Sequence, residues 1–139
     1  FREMSVETLL IDTSIWVRIL RGSPPFRDRL ASILATGSRV AICGPIQQEL
    51  LSGRNERNTH AVDSIVHRSQ IIHVDPIEDF VAAGELVNRA RVKGQVIRSA
   101  MDALIAQVAI RSEIVLIHND KDYLAAATVS TLRQVQWSD

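Results

Sequence analysis

Asp12, Glu49, Asp102 and Asp120 are spread along almost the whole of a 139-residue chain, and each stands where an apolar strand ends or a helix begins. In a fold that alternates strands and helices, such positions converge on one edge of the sheet. Carboxylates gathered there repel one another unless a hard divalent cation holds them. Mg²⁺ or Mn²⁺ prefers oxygen ligands, keeps several waters and leaves room for a substrate phosphate. Such a cation lowers the pKa of a water and neutralises charge developing on a phosphodiester, so the chemistry these residues point to is metal-assisted phosphodiester hydrolysis. Repulsion among the acids should raise at least one carboxyl pKa in the metal-free protein, so metal binding should release protons and strengthen with pH.

The elements that must position these acids are legible from periodicity and punctuation. Thr8-Leu9-Leu10-Ile11 is a short apolar, partly β-branched run ending at Asp12, as expected of a buried parallel strand. Asp12-Thr13-Ser14 offers cap residues to a helix from Ile15 to Leu20, closed by Gly22. A second helix follows Pro24-Pro25, with Phe26, Leu30, Ile33 and Leu34 at helical spacing, and Val40-Ala41-Ile42-Cys43 reads as a second buried strand. Gly44-Pro45 opens the helix that carries Glu49. A further helix is expected from Glu56 to Arg68, and a short strand over Ile71–Val74. Asp75-Pro76 opens a long helix from Ile77 to about Lys93, with Phe80, Val81, Leu86, Val87 and Ala90 as its apolar face and Gly94 as its stop. The segment Ser99–Ser112 forms another helix, Ile114-Val115-Leu116-Ile117 is the clearest strand, and Leu132–Trp137 is the last. Between those two strands lie the polar turn from His118 to Tyr123 and a small-residue segment. This alternation predicts an α/β fold, a single domain over 4–139 with a central parallel sheet flanked by helices. Phe1-Arg2-Glu3, ahead of Met4, read as a cloning remnant or the product of an upstream start and are given no function.

With 46% apolar and 23% charged residues, and sixteen basic against sixteen acidic side chains, the composition is that of an ordinary globular domain with no global positive field. Cys43 is the only cysteine, which excludes an internal disulfide and a cysteine-based zinc site and suits a reducing cytoplasm. The four histidines, His60, His67, His73 and His118, lack zinc-ligand spacing. No apolar stretch approaches the roughly 20 residues that cross a bilayer, and the amino end lacks the order of a signal peptide. The expectation is a cytoplasmic protein without a membrane partner. There is no P-loop glycine–lysine run and no Gly-x-Gly-x-x-Gly after the first strand. Ser14 stands where a haloacid-dehalogenase-type phosphatase needs its second acid, and Lys121 is misplaced for a receiver-like phosphoacceptor module.

Each acid also has a purely local reading. Asp12 can cap the helix beginning near Ser14, and Ser99-Ala100-Met101-Asp102 has the form of a capping box. Glu49 fits a solvated helix face, and Asp120 and Asp122 fit an Asx turn. Their order and context carry the argument further. Leu10-Ile11-Asp12-Thr13-Ser14-Ile15-Trp16, Pro45-Ile46-Gln47-Gln48-Glu49-Leu50, Asp102-Ala103-Leu104-Ile105-Ala106 and Ile117-His118-Asn119-Asp120-Lys121-Asp122-Tyr123 together resemble the PIN-domain ribonucleases. Within that superfamily the chain is most similar to the VapC toxins of bacterial toxin–antitoxin systems, and the resemblance runs from Leu9 onward.

The resemblance implies a PIN-like αβα sandwich and an endoribonuclease that uses Mg²⁺ or Mn²⁺ to cleave single-stranded or loop RNA, leaving a 5′-phosphate and a 3′-hydroxyl. Asp12, Glu49, Asp102 and Asp120 match the family acids in order, with Asp12, Asp102 and Asp120 as metal ligands and Glu49 completing the shell or orienting the attacking water. Ser14 matches the hydroxyl that supports the first acid. Asn119 and Asp122 are further supporting candidates, and the division of metal work between Asp120 and Asp122 is open. The implied partners are a VapB-type antitoxin, a transfer or ribosomal RNA, and a second copy of the chain through the helices carrying Trp16 and Glu49. The alternative is a non-catalytic PIN-like module that binds RNA or protein through the same crevice.

Arg18, Arg21 and Arg98 are candidates for RNA phosphate contacts, with solvated helix faces as the simpler reading, which also covers Arg54 and Arg57. Trp16 reads as core or dimer interface before a base-stacking platform. Aromatics make up only 4% of the chain, so stacking recognition of RNA has few candidates. His118, beside the acidic turn, reads chiefly as strand-end packing.

Overall fold

In the computed structural model, which describes residues 6–139, five parallel strands form one sheet in the order β3-β2-β1-β4-β5. The three residues ahead of Met4 lie outside the described residues. In chain order the elements are β1 (Thr8–Ile11), α1 (Thr13–Leu20), α2 (Pro24–Ala35), β2 (Arg39–Cys43), α3 (Gly44–Ser52), α4 (Thr59–Arg68), β3 (Gln70–Ile72), α5 (Asp79–Val92), α6 (Ala100–Ser112), β4 (Val115–His118), α7 (Lys121–Ala127) and β5 (Gln134–Gln136). The αβα sandwich expected from the sequence is therefore what the chain forms.

The strand order decides where a site can be. From β1 the chain winds outward through β2 to β3, then returns to lay β4 on the other side of β1 and winds outward again to β5. Helices leaving the carboxyl ends of β1 and β4 must diverge, which opens a crevice between them. Leu9, Leu10 and Ile11 pair with Val115, Leu116 and Ile117, so these two strands end level with each other. The Asp12 amide extends the ladder by donating to the Ile117 carbonyl at 2.9 Å. Asp12 and the turn after β4 are thereby fixed on the same rim.

The core explains why the strands read as unbroken apolar runs. Leu10, Ile11, Ala41, Ile42 and Leu116 are fully buried, because helices cover both faces of the central strands. Helix α6 is buried on most of its circumference, through Ala103, Leu104, Ile105, Ala106, Val108 and Ala109. It packs against α5, α7, α3 and β4, and its small residues permit that close packing.

Three local expectations shift. On α5 the expected Leu86 and Ala90 are buried and Val87 packs against the core, joined by Ala83, while Phe80 and Val81 are 58% and 62% exposed. The helix begins at Asp79 rather than Ile77 because Asp75 caps a preceding turn, accepting from the Ile77 and Glu78 amides. The small-residue segment after the acidic turn is a helix, α7, started by Asp120.

An ion pair that periodicity did not reveal holds the first turn of α5. Asp79 is fully buried, and both its oxygens accept from Arg111 Nε, at 2.9 and 3.0 Å. The same guanidinium donates to the His73 carbonyl at 2.6 Å. One charged group thus joins the start of α5, the end of α6 and the loop leaving β3. Arg111 is 31% exposed, so losing Asp79 costs the charged hydrogen bonds more than it strands a buried charge. Asp79→Ala is expected to lower the unfolding free energy by about 2 kcal/mol in urea titration, with the near-native circular dichroism spectrum retained at low urea.

Candidate active site

The rim at the ends of β1 and β4 is built from side chains that cap helices and carry charge at once. Asp12 is the N-cap of α1, and its Oδ2 accepts from the Ser14 amide at 3.0 Å and the Ser14 hydroxyl at 2.6 Å. Ser14 Oγ in turn accepts from the Asn119 amide at 2.9 Å, which ties the start of α1 to the turn after β4. Glu49 lies on α3, half-buried, and takes a hydrogen bond from the Thr13 hydroxyl at 2.8 Å. Ser99 caps α6 by accepting from the Asp102 amide at 3.2 Å. The reciprocal half of a capping box is absent, because the Ser99 amide donates instead to Asp122 at 3.0 Å. That leaves the Asp102 carboxyl free to turn into the crevice.

Asp120 and Asp122 have separate duties. Asp120 is the N-cap of α7 and accepts from the Asp122 amide at 2.9 Å. Asp122 is buried and uses its two oxygens on the amides of Arg98 and Ser99, each at 3.0 Å, fixing the chain as it enters α6. Oxygens of Asp102, Asp120 and Asp122 lie within 4.8 Å of one another, close enough for one ion to touch all three. All the donors are hard oxygens, which fits Mg²⁺ or Mn²⁺ and suits no soft metal.

Asp12 joins this group through Tyr123, the last residue of the fourth motif, whose role its sequence position did not reveal. Tyr123 is fully buried, and its hydroxyl lies 2.7 Å from Asp12 Oδ1 and 3.2 Å from Asp102 Oδ1. A phenol shared by two carboxylates holds them in register and softens their repulsion. The detectable signal was a tyrosine one position after an acid in an amphipathic turn, where a phenylalanine would pack equally well but could not donate. His118 is packed against the Tyr123 ring, centroids 4.8 Å apart. Its Nδ1 accepts from the Asp120 amide at 3.1 Å, so the ring proton sits on Nε2, 2.7 Å from Gln134 Oε1. Burial pulls the His118 pKa down and keeps the ring neutral. His118 therefore supports the turn, as strand-end packing implied.

Crowding is written into the protonation of the acids. Burial is the largest cause that lifts the Asp102 pKa from 3.8 to about 8, with the Asp122 hydrogen bond and the charges of Asp12, Asp120 and Asp122 adding to it. Glu49 is also raised, by burial first and then by Asp12 and Asp120, against the lowering effect of the Thr13 hydroxyl. Cys43, buried beside the same acids, is pushed up to about 12 and is inert as a thiolate.

The remaining candidates lie around the cluster. Arg98 is exposed, and its amide is one of the two held by Asp122. Arg18 pairs with Asp139 at 2.7 Å and lies over the Phe26 ring at 5.4 Å, on the flank of the molecule occupied by α2 and the carboxyl end. Trp16 is buried, and its indole donates to the Ile11 carbonyl at 2.9 Å, so it serves the core.

Residues 9–129 match the model of the PIN domain. The chain belongs to the PIN-domain family. The VapC ribonuclease Mb1587 of Mycobacterium bovis is 36% identical over 128 residues, covering 90% of this chain and 96% of that protein. Ribonuclease VapC11 of Mycobacterium tuberculosis matches to the same extent. Among solved structures, VapBC2 of Rickettsia felis bound to a promoter DNA fragment superposes with a TM-score of 0.74 at 23% identity, covering 94% of this chain and 99% of that one. DNA-bound VapBC of Salmonella typhimurium does so with 0.74 at 21%, covering 96% and 100%. These superpositions show the PIN fold.

The raised Asp102 pKa has a thermodynamic consequence for the metal-free PIN domain. Between 3.8 and about 8 the folded protein holds a proton that the unfolded chain has released. The stability that this proton confers is complete at low pH and is lost as pH rises through the folded value. In EDTA, the thermal midpoint is expected to fall between pH 5 and pH 8.5 in the wild type and to fall less in Asp102→Asn, read by differential scanning fluorimetry.

Proposed function

We propose that this PIN-domain protein is a metal-dependent endoribonuclease, the toxin of a VapBC-type toxin–antitoxin module, which hydrolyses phosphodiester bonds in single-stranded or loop RNA. The observation that carries the reading is the set of acids at the β1/β4 crevice, held in place by neighbours and not neutralised by any lysine or arginine side chain among the described residues. A scaffold that only bound RNA would gain nothing from concentrating negative charge where the polyanion must approach. The relatives named as VapC ribonucleases support the same reading at 36% identity.

In this reading Asp102, Asp120 and Asp12 would hold Mg²⁺ or Mn²⁺, and Asp122, within reach of the same ion but with both oxygens accepting from backbone amides, would chiefly set the geometry. The ion supplies charge neutralisation at the phosphodiester and acidifies a water. Asp12 is held for that work by Ser14 and Tyr123, and Asp102 by Tyr123 and its place in the first turn of α6. Glu49, half-buried and with its pKa raised by burial and by the nearby charges of Asp12 and Asp120, would accept a proton from the attacking water. Ser14 and Asn119 bind the two walls of the crevice together.

Partner and setting follow from the same family. A VapB-type antitoxin would cover the acids, and a carboxylate cluster calls for a basic side chain from that partner. We extend the reading to a homodimer and to the cytoplasm, where RNA is the available substrate. No helix among the described residues is long and apolar enough to cross a membrane.

With Mn²⁺, the wild type is expected to cleave unstructured RNA, EDTA to abolish cleavage, and Asp12→Asn or Asp102→Asn to reduce it by at least about 100-fold while the proteins stay folded. RNA binding without cleavage by the metal-loaded wild type would instead mean a binding module. Tyr123→Phe leaves every acid in place and is expected to weaken Mn²⁺ binding about 10-fold, measured by calorimetry.

A further inference from the structure

Beside the acid cluster, a cleft of about 520 Å³ runs outward between α1 and the loop after α3, with Thr13 and Glu49 at its inner end. Its floor is apolar, formed by Val17, Leu20 and Leu50, and its walls carry Arg21 and Arg57. Building on the ribonuclease reading, we propose that this cleft is a binding subsite for the single-stranded RNA flanking the scissile phosphate, with Arg21 and Arg57 gripping the backbone.

The charge arrangement separates these two arginines from their neighbours. Arg18 is neutralised by Asp139 and Arg54 by Asp63, each at 2.7 Å. Arg21 and Arg57 are exposed and take part in no ion pair among the described residues. The loop that presents Arg57 is closed on itself. Asn55 Oδ1 accepts from the amides of Arg57 and Asn58, at 2.8 and 3.1 Å, and Asn58 Oδ1 accepts from the Asn55 amide at 2.8 Å. Asn58 Nδ2 also reaches the Gly53 carbonyl at 3.3 Å, which fastens the loop to the end of α3. Such a loop fixes the backbone from which Arg57 extends beside the cleft.

The acids make such a grip necessary. A strand whose phosphate must reach a carboxylate cluster is repelled at the point of chemistry, so affinity has to come from cations on its flank. The cleft provides two cations over an apolar floor, which suits a phosphodiester backbone with a sugar or base against Val17, Leu20 and Leu50. With only 4% aromatic residues, and Trp16 committed to the core, backbone charge must carry binding in place of base stacking.

The test compares wild type, Arg21→Gln/Arg57→Gln and the matched control Arg18→Gln/Arg54→Gln, each checked for an unchanged thermal midpoint. Binding of a fluorescein-labelled 12-mer RNA, about the length of a single-strand site, is followed by anisotropy in EDTA over a salt series. Cleavage of the same RNA and of bis(p-nitrophenyl) phosphate is measured in Mn²⁺. The groove variant should bind RNA about 10-fold more weakly, with a log–log salt slope shallower by about 1.4, the share of two single-strand phosphate contacts. Its KM for RNA should rise while hydrolysis of the small diester, which reaches only the acids, stays at the wild-type rate. Equal affinity and slope in groove variant and wild type would overturn the subsite, even if the cleft serves a protein partner. An equal loss in the control variant would overturn it too, by showing only a general charge effect. If the wild type cleaves neither substrate, the ribonuclease reading fails on that arm alone, and the metal-free anisotropy still decides the cleft.

Discussion

Electrostatic repulsion among carboxylates that the fold forces together is the constraint on which the site depends. Parallel strands that wind outward in both directions from β1 leave one crevice, and Asp12, Asp102, Asp120 and Asp122 all open on it. Among the described residues no lysine or arginine side chain pairs with these acids. A proton stays on Asp102 up to about pH 8, the Tyr123 hydroxyl bridges two of the acids, and backbone amides hold Asp12, Asp120 and Asp122. Each of these is a weaker substitute for a divalent ion, and each leaves the oxygens where an ion can reach them.

The capping roles and the chemical roles are not rivals. A helix N-terminus favours negative charge, so an acid placed there is stabilised by backbone dipoles and amides at no cost to its orientation. Asp12 and Asp120 use one oxygen each for that purpose. Asp102 is different, since Ser99 does the capping and the Asp102 carboxyl is released toward the crevice. Asp122 shows the opposite division, with both oxygens occupied by amides at the entry to α6. A residue so fully engaged contributes chiefly geometry and field, while Asp102 and Asp120 have more freedom to meet an ion.

Much of this was legible from the chain alone. Apolar runs ending in acids located β1 and β4, and the parallel α/β architecture followed from alternation. Tyr123 was not legible, because the value of its hydroxyl depends on residues 111 and 21 positions away in sequence. The Asp79–Arg111 pair escaped for the same reason: an aspartate opening a helix looks solvated until a guanidinium from another helix arrives over it. Phe80 and Val81 misled because apolar character marks a candidate face, whereas in the first turn of α5 it is Asp79 that is buried. Helix α7 was obscured by its shortness and by the acids that start it.

The arginines extend the same logic to the surface. A neutral composition hides an uneven layout, in which Arg18 and Arg54 are tied to acids while Arg21 and Arg57 stand free beside the cleft that leaves the crevice. The acids draw a cation and the cation draws phosphate, but only where the rest of the polyanion is held off the carboxylates. Positive charge has to lie one step out from the negative cluster, on an element that does not share its crowding. The end of α1 and the loop after α3 satisfy that requirement, because both leave the rim beside Glu49 and neither carries Asp102, Asp120 or Asp122.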